Sequence, residues 1–187
     1  MSTNYIRPTI AVDLDETLVH VTSIAPVNLD NSNSFTFILK KNRFYVQTRP
    51  NLKYFLEKLS ELGNVYIFTA SSKEYANKII DKILPNLKEC RRFFRDSCIN
   101  EYGYYMKDLS KINSPINKIL LVDDLTGSAL LYPKNLVRIK PWNGDKNDKV
   151  LLDLISIFEK IIMENDIRDS FIEIIKNGNY DGINTFT

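Results

Sequence analysis

Thr9-Ile10-Ala11-Val12-Asp13-Leu14-Asp15-Glu16-Thr17 is the stretch on which the reading of this chain turns. Four residues of buried-strand type end abruptly in acid, the pattern of a strand that delivers polar groups at its carboxyl end. Residues i and i+2 leaving a strand point to the same side, so Asp13 and Asp15 share an edge. Two carboxylates so placed repel each other unless a cation sits between them or one stays protonated. A hard, oxygen-seeking ion such as Mg2+ suits such donors. An isolated Asp-x-Asp is more often a solvated turn. Here a second apolar run, Ile119-Leu120-Leu121-Val122, also ends in acid, Asp123-Asp124.

A third run, Val65-Tyr66-Ile67-Phe68, ends at Thr69, whose hydroxyl can donate to a phosphoryl oxygen, and Leu136–Ile139 reads as a fourth strand. Helical spacing lies between them. Leu52, Phe55, Leu56, Leu59 and Leu62 repeat behind Pro50, placed at the first helical position, and Gly63 is the stop. Ser71 and Glu74 read as a capping box ahead of a helix that puts Tyr75, Ile79, Ile80 and Ile83 on one face and ends before Pro85. Residues 148–176 carry a long helical pattern. Phe35–Leu39 and Arg43–Thr48 read as a hairpin about Lys40-Lys41-Asn42, residues 22–34 as a loop, residues 86–118 as irregular, and 177–187 as a polar tail. Strands alternating with helices predict an α/β fold with a parallel sheet, in one domain over residues 1–176. Ligands of such sheets bind outside the carboxyl ends of the strands, where these acids and Thr69 lie.

Composition bounds the function. The chain has 187 residues, 44% of them hydrophobic, enough for one domain with a full core. Lys plus Arg is 25 against 23 Asp plus Glu, a net charge of +2, so direct nucleic-acid binding is not expected. The two cysteines, Cys90 and Cys98, fit no zinc or redox signature and suit a reducing intracellular compartment. No signal peptide and no membrane-spanning run is expected. Neither cysteine is followed by the Cys-x5-Arg of a cysteine phosphatase, no glycine pair makes a P-loop, and the one histidine, His20, has no triad partner.

Val12-Asp13-Leu14-Asp15-Glu16-Thr17-Leu18-Val19-His20 resembles the first motif, D-x-D-x-T, of the haloacid-dehalogenase (HAD) superfamily of phosphatases. The form is similar to that of the branch acting on the C-terminal domain (CTD) of RNA polymerase II, which includes the small CTD phosphatases and the NLI-interacting-factor-like proteins. Further matches follow in order: Arg49-Pro50, Phe68-Thr69-Ala70-Ser71 with Tyr75-Ala76, Phe94-Arg95-Asp96-Ser97-Cys98, Lys107-Asp108-Leu109-Ser110, Val122-Asp123-Asp124, Pro133 and Lys140-Pro141-Trp142. They span about residues 8 to 162.

The resemblance implies a HAD-like Rossmannoid sheet flanked by helices, with a small β-hairpin insertion. It implies that Asp13 attacks phosphorus and that Asp15 serves as acid and then base. Mg2+ would be held by the Asp13 carboxylate, the Asp15 backbone carbonyl and Asp124. Thr69 and Lys107 would hold phosphoryl oxygens, Asp123 would orient Lys107, and Arg95 and Thr17 would lie on the substrate side. The intervals from Asp13 to Thr69 and from Thr69 to Lys107 hold no room for a large cap domain, so an open site and a phosphoprotein substrate are expected, the polymerase CTD among them. At Ser23 and Ser72 the small CTD phosphatases carry bulky apolar residues that hold a substrate proline; here both are serine. A nuclear or cytoplasmic, membrane-free monomer completes the expectation. The rival readings are a HAD fold kept as a scaffold without catalysis, and a HAD phosphatase for another phosphorylated substrate.

Overall fold

The exit of β1 (Thr9–Val12) lies between two neighbours, β5 (Asn64–Phe68) and β9 (Ile119–Asp123), with Val12 in register with Ile67 on one side and Val122 on the other. This computed structural model describes residues 6–26 and 32–186. Beyond β5 the sheet ends in the short strand β6 (Arg92–Phe93); beyond β9 come β10 (Leu136–Ile139) and β11 (Ile183–Asn184). The order is β11-β10-β9-β1-β5-β6, parallel except for β11. The chain thus builds outward from β1 through β5 to β6, then restarts on the other side at β9. The point between β1 and β9 is where such sheets bind ligands, and Asp13 and Asp123-Asp124 sit there.

Side chains alternate across this sheet. Ile10, Val12, Ile67, Leu120, Val122 and Val137 pack on the helices α1 (Leu52–Leu62), α2 (Lys73–Ile83), α3 (Val150–Ile161) and α4 (Ile167–Asn177). Phe55, Phe158 and Phe171 are fully buried against that face, each contributing about 1.5–3 kcal/mol of hydrophobic stabilisation. The opposite face, with Ala11, Phe68, Leu121 and Leu136, is covered by Leu109, Ile112 and Ala129 from short 3-10 turns. No helix among the described residues is long and apolar enough to cross a membrane.

Two antiparallel excursions leave the parallel sheet. Between β1 and α1, the strands β2 (Val19–Thr22), β3 (Ser34–Leu39) and β4 (Asn42–Thr48) form a small sheet in the order β2-β4-β3. Between β6 and β9, β7 (Cys98–Glu101) and β8 (Tyr104–Lys107) form a hairpin. No cap domain accompanies them among the described residues. The loop expected over 22–34 begins at Ser23 and lies in part, at 27–31, outside the described residues.

Five local expectations need correction. Pro50 is not the first helical residue: it lies in a turn closed by Leu52 N–H to the Arg49 carbonyl at 3.2 Å, and Asn51 enters α1 at φ 64°. The capping box does not form, because Ser72 occupies the cap position and the Ser71 hydroxyl is turned to Asp15. The pattern over 148–176 is two helices. Residues 162–166 contain no Gly or Pro to announce the break, which is held by Asp166 accepting from Arg168 N–H at 3.0 Å and by buried Lys118 donating to the Glu164 carbonyl. Residues 86–118 include the hairpin that carries Lys107. The polar tail folds back: Ile183–Asn184 pairs with β10, Lys140 N–H donates to the Gly182 carbonyl at 2.7 Å, and Ile183 is buried.

Candidate active site

Asp13 is the first residue past β1, and its N–H still donates to the Val122 carbonyl at 2.9 Å. Its carboxylate, 8% exposed, accepts from the Lys107 ammonium at 2.6 Å, and the same Nζ donates to Asp123 Oδ2 at 2.5 Å. Lys107 ends β8 and is 1% exposed. Asp123 Oδ1 accepts from Leu125 N–H at 2.8 Å, which orients it. Asp124 accepts from the buried Thr17 hydroxyl at 3.4 Å.

Burial pushes the Asp13 carboxyl well above the ordinary carboxylate range, against the pull of Lys107. Burial and then Asp123 push Asp124 up to about 6. Burial works against the Lys107 ammonium, but Asp123 and Asp13 outweigh it and hold the group above the usual lysine range. Lys107 therefore stays charged. Oxygens of Asp13, Asp123 and Asp124 lie within 4.8 Å of one another. With all groups ionised, three carboxylates and one ammonium leave an excess of two negative charges. Hard oxygen donors with that deficit fit one divalent cation of the Mg2+ kind.

Asp15 is held differently. Its Oδ2 accepts from the Ser71 hydroxyl at 2.7 Å and its Oδ1 from the Tyr75 hydroxyl at 2.6 Å. Burial, then Asp15, raise the Tyr75 phenol far above its ordinary value, so it remains a donor. Asp15 lies in a tight turn where Glu16 has φ 57° and its N–H reaches the Val19 carbonyl at 2.7 Å. Buried Arg49 braces that turn: it donates to the Thr17 carbonyl at 3.1 Å and the Lys140 carbonyl at 3.2 Å, and pairs in bidentate fashion with Asp148 at 2.8 and 2.7 Å.

Thr69 follows β5, with its N–H on the Phe93 carbonyl at 3.0 Å. Its oxygen accepts from Ser71 N–H at 3.1 Å, which leaves the hydroxyl proton free to point elsewhere. Arg95 is exposed. Its Nε donates to the Ala70 carbonyl at 2.7 Å and its guanidinium lies 5.2 Å from the centre of the Tyr105 ring. Arg91 and Arg92 belong to other contacts: Arg92 pairs with Asp81, and Arg91 bonds Asn64.

The fold thus joins Asp13 and Asp123 through Lys107, sets Asp124 with its Thr17 partner beside them, links Asp15 and Thr69 through Ser71, and sets Arg95 beside that link. Sequence reading missed Ser71 and Tyr75 as partners of Asp15, having assigned one to a cap and the other to a core face. It also missed Arg49 with Asp148, which no local pattern marks. Two cavities, of about 510 and 720 Å3, are lined by His20–Pro26 with Gln47 and by residues near Pro50, Trp142 and Asp148; none of the clustered acids lines either. The acids lie at the carboxyl ends of the central strands β1 and β9.

Known proteins match this chain closely. The profile of the NLI interacting factor-like phosphatases matches residues 8–168. A Drosophila melanogaster protein described as a CTD nuclear envelope phosphatase 1 homolog is 36% identical over 172 residues, covering 87% of this chain and 70% of its own length. A human CTD small phosphatase-like protein is 34% identical over 173 residues, covering 88% of this chain and 59% of its own length. Among solved structures, the fission yeast RNA polymerase II CTD phosphatase Fcp1 bound to beryllium fluoride superposes with a TM-score of 0.60 at 20% identity. It covers 91% of this chain and 55% of the yeast chain, a likeness of fold. From the D-x-D-x-T turn at the end of β1 to the acids at the end of β9, the matched region holds the whole cluster, and the chain belongs to the family of NLI interacting factor-like phosphatases.

Proposed function

We propose that the chain is an aspartate-based phosphatase of phosphoproteins that works with Mg2+. The observation that carries this reading is the unequal treatment of the two aspartates: Asp13 is tied to a permanent cation, and Asp15 is held by two neutral hydroxyls. Asp13 is the nucleophile, and its carboxylate forms the bond to phosphorus as the ester P–O bond breaks. Asp15 gives its proton to the departing oxygen. It then takes a proton from the water that displaces Asp13 from phosphorus. Lys107 pulls Asp13 toward its ionised form and, with the Thr69 hydroxyl, offers donors to the phosphoryl oxygens. Asp123 holds Lys107 in place, Arg95 lies on the substrate side, and buried Thr17 supports Asp124.

Asp13, the Asp15 backbone carbonyl and Asp124 would hold Mg2+. The ion supplies charge neutralisation, so that an anionic carboxylate approaches an anionic ester. Burial raises Asp13 even beside Lys107, and a second positive charge would favour its ionised form. The lack of a cap domain among the described residues suits a phosphorylated loop or tail, and the relatives' names make the RNA polymerase II CTD a candidate. The decisive measurement is release of p-nitrophenol from p-nitrophenyl phosphate, with and without Mg2+, by the wild-type chain and Asp13→Asn. Activity that needs both the metal and Asp13 is expected. An inert folded protein with Mg2+, or full activity in Asp13→Asn, turns the reading to a scaffold.

A further inference from the structure

We infer that Tyr75 is the positioning residue of Asp15, and that the hairpin of β3 and β4 acts on the reaction through it. The inference rests on the reading of Asp15 as acid and base. Three observations support it. Both Asp15 oxygens are claimed by hydroxyls, Ser71 at 2.7 Å and Tyr75 at 2.6 Å, and no salt bridge reaches Asp15 among the described residues. The Tyr75 ring meets Phe37 edge-on at 5.7 Å and 70°, and Phe44 at 5.9 Å and 80°. Those two rings stack on each other at 5.1 Å across the β3–β4 pair, where Phe37 is in register with Phe44. The edge-to-face arrangement is one of the two that aromatic rings prefer. With two walls from the hairpin, the Tyr75 ring is held in the orientation that puts its hydroxyl on Asp15.

The chemistry explains why hydroxyls suit this place. Asp15 loses a proton to the leaving oxygen and regains one from water in each turnover. A lysine or arginine partner would hold it in its charged form and oppose the protonated state. A neutral hydroxyl donates to an ionised carboxylate and still finds an unprotonated oxygen when the other carries the proton. Tyr75 and Ser71 therefore hold the direction of the group through both states. In this account the hairpin sends no residue to the phosphate; its two phenylalanines reach the reaction through the tyrosine.

The test separates positioning from packing by the leaving group. A general acid matters most when the departing oxygen is a poor leaving group. The kcat/KM of the Mg2+-loaded full chain is measured on phenyl phosphate and on p-nitrophenyl phosphate, for wild type, Asp13→Asn, Asp15→Asn, Tyr75→Phe and Phe44→Leu. Tyr75→Phe keeps the ring and its walls and loses only the hydroxyl. It is expected to lower kcat/KM about tenfold or more on phenyl phosphate and about twofold or less on p-nitrophenyl phosphate, with Phe44→Leu following in smaller measure. Equal losses on both esters, or none, overturn the inference. Loss of activity in Asp13→Asn with a steepened leaving-group dependence in Asp15→Asn, but none in Tyr75→Phe, sinks this inference alone. Full activity in Asp13→Asn sinks the reading beneath it.

Discussion

The hairpin of β3 and β4 and the hairpin of β7 and β8 both turn on two residues in left-handed backbone, Lys40-Lys41 in one and Tyr102-Gly103 in the other. They meet the two aspartates of the β1 exit with opposite chemistry. The second hairpin brings a buried ammonium, Lys107, onto Asp13 and Asp123. The first brings no charge to Asp15, only the rings of Phe37 and Phe44 against Tyr75. In the proposed reaction a nucleophile has to react ionised, which a fixed cation favours, whereas an acid that cycles its proton needs orientation without charge. The same structural device thus serves two demands that one kind of partner cannot meet.

Replacing Lys107 with Met would break the charged side of this comparison most severely. It leaves Asp13 and Asp123 buried without their shared cation, and the expected cost is about 3–5 kcal/mol in denaturant unfolding. Activity should fall by at least about a hundredfold. Intact stability would show that the pair is not what holds this edge together.

The next effect is on pH. Burial raises Asp13, and Asp124 to about 6, above their unfolded values, so the native state binds more protons than the unfolded chain between about pH 4 and 6. Stability contributed by these groups is present at low pH and lost as pH rises through the folded values. In metal chelator, their contribution should therefore raise the unfolding midpoint on acidification from pH 7 to 5. Added Mg2+ should reverse the slope, because it binds the ionised carboxylates, and its apparent affinity should weaken below about pH 6. Parallel slopes with and without Mg2+ would place the ion elsewhere.

Smaller effects sharpen the uncharged side. Lys40 at φ 47° and Lys41 at φ 69° occupy positions that Asn-Gly fills with less strain. The double change Lys40→Asn, Lys41→Gly should stabilise the chain by about 1 kcal/mol or less. It loses only an exposed 3.7 Å contact between Lys40 and Glu74, of little worth. A thermal melt reads the gain, and a loss would mean that those lysines hold the hairpin. Least of all, Gly127→Ala puts a Cβ 2.2 Å from a ring atom of Tyr104, a half-exposed side chain on β8 that can swing away. About 1 kcal/mol or less of destabilisation is expected, with Lys107 undisturbed and leaving-group dependence unchanged.

Much of the frame was legible because the cues are local. The strand cores Thr9–Val12, Val65–Phe68 and Ile119–Val122 declare themselves by apolar runs that stop in acid or hydroxyl, and α1 by its spacing of leucines. Legibility failed where a local cue was outbid from far along the chain. Ser71 has the spacing of a cap, but Asp15, distant in sequence, takes its hydroxyl. Tyr75 has the spacing of a core residue, and most of its ring is one, but its hydroxyl reaches the same carboxylate. Lys107 looks like surface in a tyrosine-rich stretch until β8 turns it inward. The tail looks polar because Ile183 and Phe186 stand alone among polar neighbours, with no periodicity to flag a two-residue strand.

By itself the sequence determined the core strands β1, β5 and β9, the helix α1 and that hard oxygen donors stand at the ends of parallel strands, because burial periodicity and strand ends are properties of neighbouring residues. Only the tertiary structure decided which partner each donor has. Lys107 and Asp13 meet across 94 residues, Tyr75 and Asp15 across 60, and Arg49 and Asp148 across 99. The hydrogen-bond partners and orientation of the two aspartates depend on those meetings. No spacing within a strand or helix encodes them; they follow from the way the fold sets the β7–β8 hairpin, α2 and the residues before α3 around the exits of β1 and β9.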